Sequence, residues 1–239
     1  MKLYDKIIEE TMETVKNTSF GRLKEYDPLA QAAWNDQGSS EFIMQRDTAC
    51  EIGAAGMPSV NYTLVTTSKD ITDDSIYVLG KDISEISKDT AFARIVILKT
   101  DDLGEDTDKE KTFQTIRNLE FVRYHVFPAG YMVRVSSRSN QEQVRISKEA
   151  VKKGISFANV GALYINKYKE LPEVKNVKIL FITVKEVVEK LMPNADKVDG
   201  ITRTLTHILD GMPTDCGHCS MKAVCDEVDG LREMHLGKK

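Results

Sequence analysis

The chain has 239 residues, 41% of them hydrophobic and 29% charged, with 37 acidic against 33 basic side chains and a net charge of −4. That is enough apolar material for a packed core in one large or two small domains; the charge gives no basis for general nucleic-acid binding, and no apolar run reaches membrane-spanning length, so neither partner is expected. The opening Met1-Lys-Leu-Tyr-Asp-Lys lacks a signal-peptide core and the 4 cysteines do not suggest a disulfide scaffold, so a reducing, cytoplasmic location is expected.

Leu3, Ile7, Ile8, Met12 and Val15 recur at helical spacing among acids and lysines and predict an amphipathic helix at the start. From Ser19 to Ser40 the chain is polar, with Pro28 and the single tryptophan, Trp34, and reads as irregular structure or a short helix around Leu29 to Trp34. Trp34 reads as a packing residue. From Glu41 the pattern changes to β-like runs, Ser59-Val-Asn-Tyr-Thr-Leu-Val-Thr, Ser75-Ile-Tyr-Val-Leu and Ala93-Arg-Ile-Val-Ile-Leu, which are expected to share one sheet. The glycines of Glu51-Ile-Gly-Ala-Ala-Gly-Met-Pro58 permit tight turns but do not follow a strand-to-helix nucleotide fingerprint.

Asp101 to Lys111 reads as a solvated loop. Phe113, Ile116 and Leu119 predict a helix that runs into a β-like Phe121-Val-Arg-Tyr-His-Val-Phe. Tyr131-Met-Val-Arg-Val and Gln143-Val-Arg-Ile continue the β pattern; Ser147 caps a short helix ended by Gly154, and a second helix covers Asn159 to about Lys169. Val177-Lys-Ile-Leu-Phe-Ile-Thr-Val reads as a buried strand. A helix from Lys185 is expected to break near Pro193, with another from about Ala195 to Asp210. The whole is an α+β pattern: a mixed β-sheet packed with helices, followed by a helical, cysteine-containing tail.

In that tail, Cys216-Gly-His-Cys219-Ser-Met-Lys-Ala-Val-Cys225 gathers three cysteines. A C-x2-C turn lets two sulfurs converge on one ion, and Cys225 adds a third. Structural zinc closes with four ligands, whereas an iron–sulfur cube can be held by three cysteines, so the set favours iron–sulfur, likewise the four-iron form (4Fe-4S). Zinc stays open, completed by His218, His235 or Cys50, as does a cluster of redox-sensitive thiols. His218, between two candidate ligands, is placed to donate to sulfur or tune the metal.

Two segments carry a resemblance: Glu51-Ile-Gly-Ala-Ala-Gly-Met-Pro58 leading into Tyr62-Thr-Leu-Val-Thr, and Val144-Arg-Ile-Ser-Lys-Glu-Ala-Val-Lys-Lys-Gly-Ile-Ser-Phe-Ala-Asn159. They resemble the central domain of acetyl-CoA synthase, the carbonyl-condensing subunit of the carbon monoxide dehydrogenase complex, over roughly residues 51 to 195. The resemblance implies three parts: an N-terminal helical segment (1–45), the central-domain-like unit (46–195), and a helix plus Cys-rich metal-binding tail (196–239). That family's cubane ligands follow the central domain and begin with a C-x2-C pair, so Cys216 and Cys219 occupy the matching place and Cys225 is implied as a third ligand, at shorter spacing.

The family's Cys-Gly-Cys tripeptide for the second nickel is absent, as is a fourth tail cysteine, so nickel and complete synthase activity are not expected. The resemblance further implies coenzyme A contact through Arg134, Arg138, Arg145 and Lys148, since guanidinium groups grip phosphate bidentately; the bland alternative is arginines on the solvent side of strands. The expected role is an iron–sulfur accessory or subunit-like protein of anaerobic one-carbon metabolism. Its implied partner is carbon monoxide dehydrogenase, acetyl-CoA synthase or a corrinoid protein. The competing readings are a catalytic fragment of a CO-methylating acetyl-CoA synthase, an acyltransferase component completed by a partner subunit, and a zinc-stapled binding module.

Overall fold

A computed structural model describes residues 3–54, 56–101, 103, 108–135, 140–210 and 218–228. The elements in chain order are α1 (Asp5–Lys16), β1 (Leu23–Tyr26), β2 (Thr48–Ile52), β3 (Ser59–Thr66), β4 (Ser75–Leu79), β5 (Phe92–Thr100), α2 (Lys109–Phe121), β6 (Tyr131–Val135), β7 (Glu142–Ser147), α3 (Lys148–Lys152), α4 (Phe157–Lys169), β8 (Val174–Ile182), α5 (Lys185–Leu209) and α6 (Lys222–Glu227). They form an α+β fold with two sheets.

The larger sheet has the order β1-β4-β8-β5-β3. Its β4–β8 and β5–β3 pairs are parallel and its β1–β4 and β8–β5 pairs antiparallel. All eight residues of β3 and all five of β4 are buried, which is why these strands read as continuous apolar runs rather than alternating ones: both faces are covered. Strand alternation assigns the covers. Asn61 of β3 stands opposite Arg94 of β5, and the Arg94 guanidinium lies 4.2 Å from the ring centre of Tyr164, so this face carries α4. The residues between them point the other way: Tyr62 shares a 2.9 Å hydrogen bond with Thr11, and Thr66 donates to Asp5 at 2.9 Å, so the second face carries α1. Against α1 lies α5, through Asn194 to Thr11 at 3.4 Å and Lys197 to Glu10 at 3.5 Å.

The smaller sheet, order β2-β7-β6, is antiparallel throughout. It is tied to the first at Glu142, whose backbone N–H donates to Ser59 Oγ at 2.9 Å and whose carboxylate accepts from Asn61 at 2.6 Å. Gly53 is required here. Its φ of +62° favours glycine, and a Cβ would collide with the carbonyl oxygen of Glu142. One hydrophobic core, from Leu3 and Tyr4 to Leu205, runs through both sheets and the helices around them.

The strands read at Ser59, Ser75 and Ala93 do share a sheet, and Ser147 does cap α3 by accepting from Ala150 N–H. Three local expectations are corrected. Phe121 to Phe127 is not a strand: α2 ends at Phe121 and a 3-10 turn spans Val122–Tyr124, because Arg123 turns inward to donate to Asn61 at 3.3–3.4 Å instead of alternating with its apolar neighbours. The polar stretch before Ser40 holds edge strand β1, which is not expected; of the two forms expected around Leu29 to Trp34 the irregular one is present, after a 3-10 turn at Pro28–Ala30. The helix after Lys185 does not break at Pro193: α5 is continuous for 25 residues and crosses residue 195. Proline removes one backbone hydrogen bond and crowds the preceding turn, but Leu191, Asn194, Ala195 and Val198 are buried on either side of it and hold the helix together. Among the described residues no helix is long and apolar enough to cross a membrane.

Candidate functional site

The tail is built on α5. Past the end of that helix, Cys219 lies in a turn whose carbonyl accepts from Lys222 N–H at 3.1 Å, and α6 follows, with Cys225 N–H donating to Met221 O at 3.1 Å. Val224, Cys225 and Val228 pack against the core. Cys219 and Cys225 are half-buried and in no disulfide, His218 is exposed, and Lys222 pairs with Asp226 at 3.3 Å, which reduces the acidic charge beside Cys225. Cys216 and His235 lie outside the described residues. Among the described residues no three His, Cys, Asp or Glu side chains form a group that could hold a metal. The donors fit a soft metal in kind, two half-buried thiols on a short folded segment, but a closed set needs at least the sulfur of Cys216.

Cys50 does not belong to this constellation. It sits on β2 with 5% exposure, inside the core. Burial, then the charges of Asp89 and Glu51, push its thiol up to about 11, which disfavours the thiolate that binds metal.

The basic residues in and just before the second segment are mostly bonded within the protein itself. Arg145 Nε reaches Glu51 at 2.6 Å, Nη1 donates to Ile43 O at 2.9 Å and Nη2 to Gln45 at 3.4 Å. Arg134 meets the same Glu51 carboxylate at 3.6 Å. Both therefore brace the β2–β7–β6 sheet. Lys148 donates to Arg46 O at 2.8 Å and lines an open groove of about 420 Å³ with Glu41, Phe42, Ile43, Asp47 and Lys152. Arg138 lies outside the described residues.

A second polar centre, not singled out from the sequence, lies between the two sheets and meets the surface at a small cleft of about 30 Å³ lined by Asn61, Glu120, Arg123 and Thr202. Arg94 and Glu142, each 1% exposed, form an ion pair between the two sheets. Asn61 donates to the same carboxylate and accepts from Arg123; nearby, Glu120 accepts from Thr202 of α5 at 2.8 Å. Burial raises the Glu120 carboxyl, with Arg123 and the Thr202 hydrogen bond acting in the opposite direction. The signal was present: Arg94 is a charge in mid-strand, and a buried charge requires a partner. The Arg94–Glu142 pair is enclosed and reads as architecture rather than chemistry.

Residues 33–188 match the family model of the CO dehydrogenase/acetyl-CoA synthase complex beta subunit. The chain is 27% identical over 209 residues to the carbon monoxide dehydrogenase/acetyl-CoA synthase subunit alpha of Moorella thermoacetica, covering 83% of this chain and 27% of that protein. It is 28% identical over 157 residues to the acetyl-CoA decarbonylase/synthase complex subunit beta of Archaeoglobus fulgidus, covering 64% of this chain and 28% of that protein. The chain thus spans little more than a quarter of the length of either relative.

Proposed function

Because the chain belongs to the CO dehydrogenase/acetyl-CoA synthase complex beta-subunit family, we propose that it is a metal-carrying, subunit-like protein of that complex, holding an iron–sulfur cluster on Cys216, Cys219 and Cys225. The observation that carries this reading is the tail itself: two of the three sulfurs stand half-buried on a short segment packed against α5, while Cys50 is locked in the core. Such a cluster, when bound, supplies one-electron chemistry and an iron with a position left for an outside ligand. The protein's part is to present the thiolates, with His218 beside them to donate to sulfur, and to hold them against the body through α5. Carbon monoxide dehydrogenase, acetyl-CoA synthase or a corrinoid protein is the partner class, in a cytoplasmic setting. Coenzyme A contact falls to Lys148, exposed at the groove, rather than to Arg145, which is half-buried with its guanidinium held by Glu51, Ile43 O and Gln45.

The test is a pair of variants purified without oxygen. Cys219→Ala loses its iron and brown absorbance, whereas Cys50→Ala keeps both. Full iron in Cys219→Ala, or its loss in Cys50→Ala, overturns this ligand set.

A further inference from the structure

Gly200 lies in the interior of α5, where glycine is a poorer choice than alanine and calls for a packing reason. The reason is α6. A Cβ on Gly200 would stand 2.7 Å from Val224 Cγ2, closer than side chains approach, and 3.2 Å from Val224 Cγ1, a tight contact, yet 3.5 Å from Val224 Cβ, an ordinary contact. Valine in a helix is confined largely to one rotamer, so its methyls cannot swing aside cheaply. One helical turn further along α5, Thr204 Oγ1 bonds back to Gly200 O at 2.9 Å and also meets Met221 Sδ, just before α6, at 3.6 Å. The two helices therefore meet at Gly200–Val224 and Thr204–Met221, and Val224 is the immediate neighbour of Cys225.

We propose that Gly200 is a positioning residue for the cysteine tail: the missing side chain is the notch that seats Val224, and through it fixes Cys225 against α5. The role in holding metal rests on the function proposed above; the docking does not.

The two are separated by reading both in the full chain. In Gly200→Ala, which favours α5 as a helix, amide exchange over residues 222–227 should rise about tenfold, as expected when a docked element opens locally, while exchange over 185–198 stays unchanged. Iron per chain should fall in the same preparation. Adding Val224→Ala to Gly200→Ala leaves two Cβ atoms at ordinary contact and should restore both exchange protection and iron. Unchanged exchange in Gly200→Ala, or failure of the double variant to restore it, overturns the notch. Raised exchange with unaltered iron overturns the metal-positioning role alone, and a wild-type protein that takes up no iron, with the exchange pattern as expected, overturns the cluster reading while leaving the notch standing.

Discussion

Arg94 sits in the middle of β5 with a full charge and 1% exposure, and its ion-pair partner Glu142 is equally buried. Removing one member of such a pair leaves the other without compensation, at a cost of about 3–5 kcal/mol. Arg94→Met should therefore lower the urea-unfolding free energy by about that amount; a loss below about 1 kcal/mol would mean that the pair is not the tie between the sheets. The charge was visible in the sequence as an interruption of Ala93-Arg-Ile-Val-Ile-Leu, but its partner, 48 positions away, was not, because nothing local links β5 to β7. The tail cysteines were legible for the opposite reason: their spacing is short and their chemistry is carried by residue type alone. Arg145 lies between these cases. As a residue type it suggests phosphate, and only the fold reveals that Glu51 of the neighbouring strand has taken its guanidinium.

The apolar stripe of α1 and the continuous apolar runs of β3 and β4, buried on both faces, were legible from their patterns, whereas α4, buried all round from Phe157 to Ala162, has no such stripe. Edge strand β1, with its burial confined to the two end residues in part, carries too little apolar material to stand out. Phe121 to Phe127 alternates as a strand would, yet continues from α2 as a helical turn because Arg123 finds its acceptors inside the protein. At Pro193 the local penalty is outweighed by tertiary burial, and α5 pays it to carry the chain from the sheet to the tail. Pro193 is exposed, so Pro193→Ala restores a backbone donor and relieves the crowded turn without touching the core. A gain of about 1–3 kcal/mol in unfolding free energy is expected, somewhat less than the full intrinsic penalty; a loss of stability would show that the proline shapes α5 in a way the fold needs.

For the molecule as a whole, the α+β class and the family were legible from composition, periodicity and two segments, whereas the division into two sheets was not. That division depends on β2 leaving the path of β3 through Gly53 and joining β7 and β6, a long-range pairing with no local signature. The result is a single core into which α5 is buried from Val187 to Leu205, with Val224 and Met221 of the tail seated against Gly200 and Thr204. Metal content therefore bears most directly on the proposed role. Elemental analysis of protein purified without oxygen, for iron, acid-labile sulfide, nickel and zinc, should find about four irons with matching sulfide per chain and no nickel. Stoichiometric nickel would instead make the chain a catalytic fragment, and zinc alone, in colourless protein, would contradict the cluster and leave the tail as a structural staple.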